Sequence, residues 1–99
     1  MTLSESQTQK IIDYFKSQPV HKAYLFGSHA ANTATEISDI DILVELDHSK
    51  PIGLRFVRMQ LDLQDILQKR VDLLSHKAVS KYIRPFIEQD KKLIYEREE

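Results

Sequence analysis

The 99-residue sequence has no cysteine and no tryptophan, and only two glycines and three prolines. Without thiols there can be no disulfide and no cysteine-ligated zinc, so the core must form without those staples. So few glycines and prolines leave little material for a linker, and neither an internal repeat nor a low-complexity tract is present. Long apolar runs are missing too. The longest, Ala23-Tyr24-Leu25-Phe26, falls far short of the ~20 residues that a membrane-spanning helix needs. The opening residues Met1-Thr2-Leu3-Ser4-Glu5-Ser6-Gln7 lack the basic patch and apolar stretch of a secretory signal, so a cytoplasmic location is expected by elimination.

Charge of one sign is also lacking. Fourteen Lys and Arg stand against fifteen Asp and Glu, a net charge of −1, which excludes the overall basic footprint of a nucleic-acid binder. Residues 1–50 carry 4 basic and 7 acidic side chains and residues 51–99 carry 10 and 8, a split small enough to reflect solvated helix faces. What remains, 41% apolar and 29% charged residues, is ordinary for a globular chain, and the length predicts a single domain over residues 1–99.

Ser4-Glu5-Ser6-Gln7 fits a capping box, with Ser4 as N-cap and Gln7 three positions on. It predicts a helix to about Ser17 that presents Ile11, Ile12 and Phe15 to a core and is stopped by Pro19. His21 to Phe26 reads as a strand closed by Gly27. Residues 29–38 have no strand alternation and suit a helical turn capped by Ser28. Across Asp39 to Asp47, Ile40, Ile42, Val44 and Leu46 face one way and Asp39, Asp41, Leu43, Glu45 and Asp47 the other, as in a half-buried strand. Residues 52–69 place Ile52, Phe56, Met59, Leu63, Ile66 and Leu67 on one helical stripe. Leu54, Val57 and Leu61 fall opposite, so this helix is either sandwiched in the core or carries a contact for another chain, including a second copy. Val71 to Leu74 reads as a short strand. Val79, Ile83, Phe86 and Ile87 suggest a last helix ending near Asp90, with Pro85 in its first turn and residues 77–84 as a separate turn. Leu93-Ile94-Tyr95 suits a final edge strand. This order of elements predicts an α+β domain of two layers.

Two features carry chemistry. Gly27-Ser28 ends a strand at an expected helix start, where a glycine allows close approach and free N–H groups favour phosphate, although the same pair also makes an ordinary turn. Asp39-Ile40-Asp41 sets two carboxylates on one strand face, a few ångströms apart. The pair is either part of a solvated face that Glu45 and Asp47 continue, or a site for magnesium, which takes hard oxygen ligands alongside substrate phosphates. Asp72, within the apolar Val71-Asp72-Leu73-Leu74, is a polar group among residues expected to be buried, where it needs a partner or a metal. If its strand lies beside the Asp39–Leu46 strand, three carboxylates converge.

Gly27-Ser28, ten intervening residues and Asp39-Ile40-Asp41 together resemble the Gly-Ser-x10-Asp-x-Asp signature of the DNA polymerase β-like nucleotidyltransferases. Asp72 stands where that family has its third catalytic carboxylate. Length and element order are similar to the minimal nucleotidyltransferase (MNT) family, the antitoxin halves of HEPN–MNT toxin–antitoxin pairs, over about residues 6–96. The resemblance implies a small palm-like domain, with a mixed sheet and helices packed on one face. It implies Asp39, Asp41 and Asp72 as catalytic and Mg²⁺-binding residues, and Gly27 and Ser28 as nucleotide-binding residues. It also implies transfer of a nucleotide, ATP foremost, to a hydroxyl on a HEPN toxin. The family commonly continues its motif Gly-Ser-x-Ala-Arg-Gly, whereas here Ala31-Asn32 replaces Arg-Gly and one positive charge is lost. His29 is either a partial substitute for that charge or a surface histidine. The departure keeps open a second reading, in which the fold neutralises a toxin by binding alone.

Overall fold

Ser4 begins the first helix as its sequence predicts: its hydroxyl accepts from the Gln7 amide at 3.1 Å, and the Gln7 side chain accepts from the Ser4 amide at 3.0 Å. The structure, a computed structural model, describes residues 4–27 and 39–97. The expectations for Ser28, His29, Ala31, Asn32 and the turn over residues 29–38 lie outside the described residues. The elements in chain order are α1 (Glu5–Phe15), β1 (Val20–Phe26), β2 (Ile40–Leu46), α2 (Arg55–Leu67), β3 (Val71–Ser75), a 3₁₀ turn (His76–Ala78), α3 (Arg84–Asp90) and β4 (Lys92–Glu96).

The strands form one mixed sheet in the order β3-β2-β1-β4. β1 pairs antiparallel with both β2 and β4, and β2 pairs parallel with β3. A parallel pair needs a crossover connection, and α2 supplies it. The apolar parity of β2 faces the main core, where Ile40, Ile42 and Val44 join Ala23 and Leu25 of β1, Val71 and Leu73 of β3, and Tyr95 of β4. α1 adds Ile11 and Phe15, and α2 adds Met59, Leu63 and Leu67. Both long helices therefore pack on this face. The opposite face is closed in part by the end of α3, where the Lys91 ammonium lies 4.3 Å from the centre of the Tyr24 ring.

Several boundaries differ from the periodicity. α2 begins at Arg55 rather than residue 52, because Pro51 precedes Gly53, whose φ is +44°. α3 begins at Arg84, with Pro85 in its first turn. Of its expected apolar face only Ile87 is buried, while Ile83 and Phe86 are exposed. Leu43, on the polar side of β2, is also buried. Asp47, expected on that solvated side, is only 7% exposed. It lies just past the strand, where Arg97 and Ser49 close over it.

Candidate active site

Parallel pairing of β2 with β3 sets Asp41 directly beside Asp72. Both have core-facing neighbours, Ile40 and Ile42 for one and Val71 and Leu73 for the other, so alternation turns the two carboxylates to the same, opposite face of the sheet. Antiparallel pairing of β1 with β2 sets Phe26 across from Asp41, which delivers Gly27 to the same spot. Gly27 has φ +71°, and a Cβ added there would collide with the Asp41 carboxylate, whose Cγ lies 3.1 Å from that position. Only glycine both accepts this backbone conformation and leaves room for the carboxylate.

Burial in this corner, then the negative charges of Asp72 and Asp39, push the Asp41 carboxyl up to about 6. Like charges held together without a compensating cation produce this direction of shift. Asp39 lies just before β2 and is exposed, with one oxygen 3.9 Å from the Arg70 guanidinium. Asp72 is exposed as well, contrary to the burial expected from its apolar neighbours, because alternation in β3 sends Val71 and Leu73 inward and Asp72 out.

Of the sequence-derived set, the structure brings Gly27, Asp41 and Asp72 together and leaves Asp39 at the margin. Among the described residues no three acidic or imidazole side chains are close enough together to hold a metal ion. The donors present nonetheless suit magnesium, which commonly takes one or two protein carboxylates and completes its shell with phosphate and water. Arg70 was not anticipated. Its signal was a basic residue immediately before Val71-Asp72, and its carbonyl accepts from the Ile40 amide at 2.9 Å, tying β3 to the start of β2.

The model of the polymerase β nucleotidyltransferase family matches residues 9–99. The chain belongs to this nucleotidyltransferase family. The nucleotidyltransferase chain is 41% identical over 71 residues to a candidate protein adenylyltransferase of Methanocaldococcus jannaschii, covering 72% of this chain and 75% of that protein. Its fold is similar, at a TM-score of 0.74 and 23% identity, to a chain of a toxin–antitoxin crystal structure with AMP-PNP, covering 97% of this chain and 76% of that one. It is also similar, at 0.71 and 21% identity, to a chain in the structure of a tri-AMPylated Shewanella oneidensis HEPN toxin in complex with MNT antitoxin, covering 96% and 74%. At these identities the two structures establish the fold, a small α+β nucleotidyltransferase domain. Among the described residues no helix is long and apolar enough to cross a membrane.

Proposed function

We propose that this nucleotidyltransferase acts as a single cytoplasmic domain that transfers AMP from ATP, with Mg²⁺, to a hydroxyl of a HEPN-type toxin and thereby neutralises it. The observation that carries the reading is the in-register Asp41–Asp72 pair beside Gly27, with Asp41 pushed up to about 6 by burial and by neighbouring negative charge. Such a corner favours a cation and a phosphate-bearing substrate over an empty state. The adenylyltransferase relative supports the nucleotide, and the AMPylated toxin complex supports the acceptor.

In this reading Gly27 and Ser28 would take the β- and γ-phosphates, and Asp39, Asp41 and Asp72 would hold the metal. Magnesium, when bound, neutralises the triphosphate and offsets the repulsion among the carboxylates. Asp72, exposed beside Asp41, orients the acceptor hydroxyl and takes its proton. The hydroxyl oxygen bonds to the α-phosphorus, the bond from that phosphorus to the bridging oxygen breaks, and pyrophosphate leaves.

Incubating the protein with Mg²⁺, α-labelled ATP and its cognate HEPN protein tests this. Label should appear on the HEPN protein, be absent with γ-labelled ATP or after chelation of Mg²⁺, and fall on the order of 10²–10³-fold in Asp41→Asn. No label on a partner that binds would sink the transfer reading. The second reading, neutralisation by binding alone, is favoured by Ala31-Asn32 replacing the usual Arg-Gly, and requires that Asp41→Asn neutralise the toxin as well as the wild type does.

A further inference from the structure

The second apolar stripe, Leu54 just before α2 with Val57 and Leu61 on it, does not enter the core: Leu54 is 86% exposed, Val57 55% and Leu61 49%. It lines a hollow of about 510 Å³ together with Arg58 and Asp62. A second hollow of about 600 Å³ adjoins it and shares Gln18 and Arg55 with it. That one is lined by Lys16, Lys50 and Arg97 together with Pro19 and Pro51. Together they form a groove with an apolar wall and a basic border.

The border is only partly neutralised from within. Arg97 is held by Asp47 at 2.9 Å and Lys16 by Asp13 at 3.4 Å. Asp62, the acidic group in the lining, accepts the Tyr14 hydroxyl at 2.6 Å. Lys50, Arg55 and Arg58 form no ion pair among the described residues. Two requirements on an occupant follow: apolar side chains spaced to meet Leu54, Val57 and Leu61, and carboxylates placed to meet the three cations. A nucleic-acid backbone meets the second requirement and has no use for the first. An amphipathic helix with acidic borders meets both.

We infer that this groove docks an acidic amphipathic helix of the partner protein. Its basic part lies at the Asp47 end of β2, six residues and about 20 Å along the strand from Asp41, and its apolar part runs back along the first half of α2. Docking there selects the acceptor protein at a distance from the reacting hydroxyl, so partner choice and chemistry occupy opposite ends of the sheet. The inference rests on the proposed function in taking the occupant to be the acceptor protein. Its test uses no nucleotide, so failure of docking and failure of transfer are read separately.

The probe is a short fluorescein-labelled helical peptide with leucines along one face and glutamates on both borders of that face, titrated by anisotropy. The wild type should bind it, and Leu61→Glu and the pair Arg55→Glu/Arg58→Glu should each weaken binding at least about tenfold. Leu93→Glu, an exposed apolar position on β4 outside the groove, should leave binding unchanged and controls for nonspecific effects of added charge. Circular dichroism of each variant confirms that it is folded. The inference is overturned if the peptide fails to bind, if lysines in place of its glutamates bind as well, or if single-stranded RNA competes as effectively as the peptide. It is equally overturned if the wild type sediments as a dimer that Leu61→Glu dissociates, since a second copy would then be the occupant.

Discussion

β2 has an aspartate near each end, Asp41 at its second position and Asp47 just past its last, and the two behave in opposite ways. At one end Asp41 sits beside Asp72 and against Gly27, and burial plus like charge push its carboxyl up to about 6. At the other, Asp47 is nearly inaccessible, yet hydrogen bonds from Ser49 and Arg97 hold its carboxyl well below the usual range. Arg97 donates to Asp47 and to the Gln18 carbonyl, each at 2.9 Å, and the Asp47 amide donates to the Pro19 carbonyl at 2.7 Å. Three chain segments are tied there. The Asp47 end is thus satisfied and structural, whereas the Asp41 end keeps uncompensated charge in the folded state. Uncompensated charge is what a cation and a triphosphate can use, and a closed ion pair is not.

The largest effect on this contrast should come from Gly27→Ala. It imposes a Cβ on the Asp41 carboxylate at a positive φ, and should cost about 3 kcal/mol in denaturant unfolding while also abolishing nucleotide binding. Next, Asp47→Ala should lower the melting temperature by several degrees, since it leaves Arg97 without its carboxylate and Ser49 without its acceptor. Because the folded carboxyl of Asp47 titrates below its unfolded value, its stabilisation is present above about pH 4 and is lost as pH falls through the folded value. The smallest effect has the opposite sign. Asp41 titrates higher in the folded protein than in the unfolded chain, so without metal its contribution to stability falls as pH rises from about 4 to 6. Asp41→Asn should flatten that slope and raise stability at pH 7 by about 1 kcal/mol, after allowance for solvent screening. Melting curves across pH for both aspartate variants would show whether the two slopes are opposed, and parallel slopes would refute the contrast.

Much of this was legible locally. The Ser4 capping box, the alternation of β2, the main stripe of α2 and Pro85 in the first turn of α3 each depend on neighbours a few residues apart. The candidate site was legible in part. The spacing from Gly27 to Asp41 and the position of Asp72 pointed to one corner, and strand pairing put those three there. Two expectations failed, for different reasons. Asp72 is exposed because alternation in β3 overrides the apolar character of its neighbours, and Asp47 is buried because a residue 50 positions away reaches it.

The sequence by itself determined the type and order of the described helices and strands and which parity of β2 is apolar, since these follow from short-range periodicity and caps. Only the tertiary structure decided that Asp41 meets another carboxylate while Asp47 meets a guanidinium, and that the Leu54, Val57 and Leu61 stripe stays outside the core. The reason is that a carboxylate's charge state and a side chain's burial depend on what long-range pairing brings against them, and Asp41 and Asp47 differ only in what is brought.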